Sequence, residues 1–148
     1  MNKLYRYSLF LLLPCFAQAQ PIEGNIWRTL ASVQIEKEYD EMIGMEIIRP
    51  TFGPLITAIE GKEVIVKGYI IPLEGKKKQG HFMFSAYPYN MCFFCGKAGP
   101  ESAMQVFTKE GKAVTYTDEA VRVKGVLRLR RNDVTGLIYA LESAELVK

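Results

Sequence analysis

The most regular stretch of the chain lies near its C-terminal end, where Val121, Val123, Leu127 and Leu129 alternate with Arg122, Lys124, Arg128 and Arg130. Successive side chains of a strand point to opposite faces, so this period of two predicts a strand with one buried and one solvated face. A second run, from Glu63 to Ile71, is rich in β-branched residues and puts Val64, Val66 and Ile70 on one face before Pro72 ends it. In the run from His81 to Tyr87, Phe82, Phe84 and Ala86 share a face. These two runs, joined through the basic loop Gly75-Lys76-Lys77-Lys78-Gln79-Gly80, predict a hairpin. A long loop containing Gly and Pro follows from Pro88 to Ser102, then a strand from Ala103 to Thr108. Asn132-Asp133-Val134-Thr135-Gly136 turns the chain into a last strand, expected from Leu137 to Leu141.

The N-terminal third has a weaker pattern. Pro21 to Asn25 reads as an entry segment anchored by Ile26, Trp27 and Leu30. Val33 and Ile35 alternate with polar neighbours, whereas Met42, Met45 and the acidic residues Glu36, Glu38, Asp40 and Glu41 also suit a helix; two strands are the reading adopted. Pro50, Gly53 and Pro54 punctuate the chain, and Leu55 to Ile59 is expected to form a short helical turn.

One internal echo sharpens the fold class. Val64-Ile65-Val66-Lys67-Gly68 and Val121-Arg122-Val123-Lys124-Gly125 share the pattern Val-x-Val-Lys-Gly. Glycine inside a strand marks a bulge or a sharp bend, the device by which small barrels turn corners. The prediction is therefore a mainly β domain, a small five-stranded OB-like barrel with an N-terminal extension. Nothing in the chain alternates strand with helix as a parallel α/β sheet requires.

The first residues decide the compartment. Lys3 and Arg6 precede an apolar run from Leu9 to Phe16 and then Ala17-Gln18-Ala19, the small-x-small pattern cut by signal peptidase. A membrane anchor needs roughly 20 apolar residues, about twice this run. Residues 1 to 19 are thus expected to be a cleaved signal peptide, leaving 20 to 148 as a single domain exported to the periplasm or secreted. Cys15 follows Pro14, where a lipoprotein signal wants a small residue, and leaves with the signal. Removing Lys3 and Arg6 lowers the charge from +3 to about +1, so bulk charge identifies no partner.

Several short motifs in order carry a resemblance. Phe52, Ala58-Ile59-Glu60-Gly61-Lys62, Val64, Gly68-Tyr69, Pro72-Leu73-Glu74, an aromatic strand, Pro88 and Cys92 resemble a family of small exported bacterial proteins known as domain of unknown function 3299. The likeness spans about residues 50 to 108. In that family a proline-rich run ending in Asn-Gln follows the first cysteine, whereas Phe93-Phe94-Cys95-Gly96-Lys97-Ala98-Gly99-Pro100-Glu101-Ser102 stands here. Only Cys92 and Pro100 carry over. The resemblance implies an exported OB-like fold and no particular activity.

After processing, Cys92 and Cys95 are the remaining cysteines, in a compartment where disulfides persist. Three readings stand: a structural disulfide between Cys92 and Cys95, a redox-active pair, or part of a soft-metal site. Redox catalysis calls for a depressed thiolate pKa, usually from a following helix N-terminus, yet Gly96, Gly99 and Pro100 follow. A zinc site wants four ligands, and Glu101 is the nearest additional donor to Cys92 and Cys95; Met91 and Met104 are soft donors that suit copper(I). His81, the single histidine, starts a strand that runs away from its own end toward the cysteine loop, and is not assigned as a ligand. A bridge this short should barely affect global stability.

Other candidates are weaker. Phe93 and Phe94 cannot both be buried readily, so one is a candidate contact for a partner. The series Arg122, Lys124, Arg128, Arg130 and Arg131 suggests a weak contact with an anionic membrane surface, while export argues against nucleic acid. No nucleophile elbow, phosphate loop or paired-carboxylate motif is present, so the chain reads as a non-enzymatic binding or accessory module with Zn or Cu as candidate ions. Its partner is an exported or envelope protein or a small ligand.

Overall fold

A computed structural model describes residues 20–73, 77–133 and 135–147. The expected signal over residues 1 to 19, and Gly75 and Lys76 of the basic loop, lie outside them. Among these residues ten strands and two short α-helices follow in order: β1 (Ile22–Glu23), α1 (Ile26–Leu30), β2 (Gln34–Asp40), β3 (Met45–Thr51), α2 (Pro54–Thr57), β4 (Glu63–Ile71), β5 (Lys78–Gln79), β6 (His81–Ser85), β7 (Ala103–Thr108), β8 (Val114–Thr115), β9 (Val121–Leu129) and β10 (Tyr139–Val147).

Five of these close a barrel. The hydrogen-bonded order is β4-β6-β7-β10-β9, and β9 returns to β4. Every pairing is antiparallel except β10 on β7, which is parallel. First, second, third, fifth, fourth and back to first is the connectivity of the OB barrel, so the predicted fold class holds.

The echoed motifs explain how the wall closes. They lie antiparallel in register, Val64 opposite Gly125, Val66 opposite Val123 and Gly68 opposite Val121. Beyond Gly68, β4 leaves β9 and pairs with β6 through Tyr69, Ile70 and Ile71. A Cβ on Gly68 would stand 2.4 Å from the Ser85 carbonyl oxygen, so only glycine lets the backbones approach at this corner.

The last strand departs from expectation. It covers Tyr139–Val147 and not 137 to 141. Its register on β9 shifts between Glu142 and Glu145, and Ser143 adopts φ 50°, a bulge that flips the alternation midway. The predicted bounds of β4 and β7 agree with the structure, and the two N-terminal strands form as the hairpin β2–β3.

Side-chain parity sorts the apolar residues into two groups. Val64, Val66, Ile70, Phe82, Phe84, Met104, Val106, Val123, Leu127, Tyr139 and Leu141 belong to the main core. Ile71, Met83 and Ala103 have the opposite parity on the same strands and pack with Cys92 and Leu137 in a second cluster, outside the wall. The N-terminal segment also reaches the main core through buried Ile26 and Leu30, while α2, started by Pro54, adds buried Ile56. The Tyr139 hydroxyl donates to the Leu30 carbonyl at 2.8 Å, and Asn25 caps α1 by accepting from the Arg28 amide. Five residues are too few to show a helical period, which is why α1 read only as an anchored entry segment. Among the described residues no helix is long and apolar enough to cross a membrane.

Candidate functional site

The cysteine loop begins where β6 ends and returns to β7, its base closed by the Ala86 amide donating to Ser102 O at 2.9 Å. Glycine and proline prevent a long helix, and the chain instead makes three single 3₁₀ turns, Tyr89–Met91, Phe93–Cys95 and Pro100–Ser102. Gly96, with φ 70°, ends the second turn in the left-handed region that glycine favours.

Cys92 is fully buried in the outer cluster with Ile71, Met83, Ala103 and Leu137, whereas Cys95 is exposed. Both are free thiols, their sulfurs 3.9 Å apart. The Cys95 sulfur donates to Tyr89 O at 2.8 Å, although the residue faces solvent. Desolvation of that sulfur, then the Cys92 thiol beside it, push the Cys95 thiol above its ordinary range. A disulfide at about 2.05 Å would need the sulfurs to close by roughly 2 Å. Two sulfurs sharing a tetrahedral zinc, each bonded at about 2.3 Å, stand about 3.8 Å apart, close to the spacing found.

The structure brings Cys92 and Cys95 together but does not join Glu101 to them as a ligand set. Among the described residues no three of His, Cys, Asp and Glu converge on a point that could hold a metal ion. The Glu101 carboxylate folds over Gly99, so closely that a Cβ there would meet Oε2 at 2.2 Å. Met104 is buried in the main core. His81 stacks on Phe107 with ring centroids 4.3 Å apart, at the end of β6 remote from the loop.

The two phenylalanines divide as anticipated. Phe93 packs on the outer cluster, while Phe94, edge-on to it at 5.3 Å, is 46% exposed. Tyr87, Tyr89 and Met91 on the same loop are also exposed. Sequence reading did not mark the tyrosines or the relief around them. A hollow of about 440 Å³ is lined by Asn25, Trp27, Lys67, Tyr69 and Ala86, among others. One of about 220 Å³ is lined by Tyr69, Pro88, Tyr89, Asn90, Tyr116 and Asp118. A third, of about 420 Å³, lies under Tyr87, Met91, Lys97 and Glu101. The density of tyrosines between 69 and 116 was the available signal.

Four of the five cations of the basic series are paired with carboxylates. Arg122 meets Glu23, Lys124 meets Glu145 at 3.1 Å and Glu63 at 3.7 Å, and Arg128 meets Glu142 at 2.8 Å. Arg131 grips Glu60 with two hydrogen bonds of 3.0 and 2.8 Å and lies over the Phe52 ring. The hydrogen bond that Lys124 donates to Glu145 and then the charge of Glu63 raise the Lys124 pKa, and the hydrogen bond from Arg131 lowers that of Glu60. Arg130, the fifth of the series, lies over the Phe107 ring, 5.6 Å from its centroid.

The class of molecule is thus a closed OB barrel carrying a loop with two thiols and an aromatic rim. No family model matches the chain, and no curated protein does. A solved structure does match, that of a DUF3299 family protein from Pseudomonas aeruginosa PAO1: 19% identity, TM-score 0.52, covering 88% of this chain and 98% of that one. What the two share is the fold, and the resemblance to domain of unknown function 3299 agrees with it.

Proposed function

We propose that this chain is an exported, non-enzymatic accessory module whose barrel is scaffold and whose cysteine loop is its contact surface. One observation carries the reading. Large side chains that a monomer would ordinarily shelter, Tyr87, Tyr89, Met91 and Phe94, are all exposed within an eight-residue stretch of this loop beside concave ground. The thiol pair fastens that loop, closing to a disulfide on export or sharing a soft ion such as zinc or copper(I). The raised Cys95 thiol and the absence of a following helix support this against thiol–disulfide catalysis, which needs an easily formed thiolate.

The reading is tested with a photo-crosslinking amino acid placed at Phe94 and, as a control, at exposed Leu55 on α2. A discrete adduct from position 94 alone is the expected result; equal or absent labelling at both positions sinks it. Free-thiol titration before and after mild reductant separates a locked bridge from a cycling one. Metal content of protein purified without chelator tests the ion. Intact mass of the exported protein should place its N-terminus near Gln20.

A further inference from the structure

Tyr69 lines both the 440 Å³ and the 220 Å³ hollows, so the two adjoin at this residue as a trough. We propose that this trough binds a neutral oligosaccharide, with Tyr69, Tyr89 and Tyr116 as stacking platforms and Asn90 and Asp118 as hydroxyl partners.

The chemistry of the lining sets the ligand class. A pyranose ring has an apolar face of C–H bonds and an equator of hydroxyls, so its site needs aromatic faces together with planar polar groups that accept and donate. The trough supplies both. Asp118 accepts a hydrogen bond from the Tyr116 hydroxyl, which keeps one carboxylate oxygen occupied and leaves the other open to a sugar hydroxyl. The Asn25 carbonyl oxygen is engaged in capping α1, and its amide N–H groups remain to donate at the far end. Aromatic trough walls also suit single-stranded nucleic acid, but that ligand needs cations along its phosphates. Here a carboxylate stands among the rings, and among the described residues Lys67 is the one cation lining the trough.

The ends of the trough are held firmly. Trp27 Nε1 donates to the Lys67 carbonyl at 2.8 Å and its ring stacks on Phe84 at 6.3 Å, so the indole is a fixed wall. Tyr69 belongs to β4 just past the Gly68 corner. Tyr89 and Asn90 come from the cysteine loop, and to that extent the inference rests on the loop being a contact surface.

Trp27, which lines this trough, is the only tryptophan, so the protein's tryptophan fluorescence comes from this one wall. Chitotetraose, the N-acetylglucosamine tetramer, is titrated into the purified exported protein while Trp27 emission and backbone amide NMR shifts are followed. A saturable change is expected. The pair Tyr89→Ala with Tyr116→Ala should weaken binding at least tenfold, and Asp118→Asn several-fold. Because these side chains are exposed, the melts should not move. Chitotetraose and cellotetraose both failing to give saturation, affinity unchanged in the double variant, or preferential binding of an oligothymidylate each overturn the proposal. If the Phe94 adduct survives while saccharides fail, the saccharide assignment alone falls. Saccharide binding without that adduct removes the protein-contact reading instead.

Discussion

Cys92 shows at the scale of one residue how a motif and a core position can coincide. Read from the sequence, it was half of a short clip whose loss should leave the melt unchanged. In the fold its side chain is fully buried among Ile71, Met83, Ala103 and Leu137. Free cysteine packs as a small hydrophobe, and a serine hydroxyl there would lack the water it gives up. Under reducing conditions Cys92→Ser is therefore expected to cost about 1–2 kcal/mol in denaturant unfolding. Cys92→Ala should cost about 1 kcal/mol, and Cys95→Ser should leave the midpoint unchanged. A neutral Cys92→Ser would show that the outer cluster is not cohesive. Glycine makes a second residue-scale test. The Ser85 carbonyl oxygen, 2.4 Å from a Cβ at position 68, is backbone and cannot swing away. Gly68→Ala should lose about 2–3 kcal/mol. Gly125→Ala, whose nearest atom is Glu142 O at 3.1 Å, should lose less, and equal losses in the two variants would count against the corner argument.

Among the elements, what the sequence made legible follows from the period of two. β4 and β7 were readable to the residue because in each the interior side chains keep one parity throughout. β10 was readable only up to its bulge, because Ser143 breaks the parity on which the reading depended. The cysteine loop was located, but its burial was not, since nothing local says that Ile71 and Met83 turn outward to receive it. The paired cations were likewise invisible: Glu63, Glu142 and Glu145 become neighbours of Lys124 and Arg128 only once β9 is seated between β4 and β10. The hairpin β2–β3 was legible as two strands, yet its character comes from the structure. Among the described residues it pairs with nothing else in a sheet, and the end around its turn exposes Tyr39, Ile43, Met45 and an almost bare Met42. A two-stranded ribbon is marginal without a sheet to join. Amide hydrogen exchange should therefore show Glu38 to Ile47 opening locally, at rates independent of the stability of the barrel, while β4 and β9 exchange only through global unfolding. Protection of the hairpin equal to that of β9 would indicate that it is clamped to the barrel more firmly than its pairing suggests.

At the scale of the whole molecule, a closed wall leaves only its ends open, and the question is what fills them. Residues outside the five barrel strands that join the interior cluster must enter through an end, and the buried ones of the N-terminal segment are Ile26 and Leu30, with Ile22 and Trp27 packed beside them. Leu30 is fully buried, its carbonyl receives the Tyr139 hydroxyl, and Trp27 beside it is tied to Lys67 and Phe84. Burial holds Tyr139 in its neutral form well above the usual tyrosine range, so this link persists across ordinary pH. The segment is in that case a stopper of the barrel and part of one cooperative unit. Leu30→Ala removes a side chain from packed core and should cost about 3 kcal/mol, within the range for buried leucines. Leu55→Ala, at an exposed site, should stay within about 0.5 kcal/mol. Unfolding followed by Trp27 fluorescence reports on the N-terminal segment, and far-UV circular dichroism reports on the barrel. In both the natural chain and Leu30→Ala the two signals should change together, as all-or-none unfolding requires. If the Trp27 transition instead came at lower denaturant and left the dichroism unchanged, the segment would be a detachable arm and the barrel would hold its core without it.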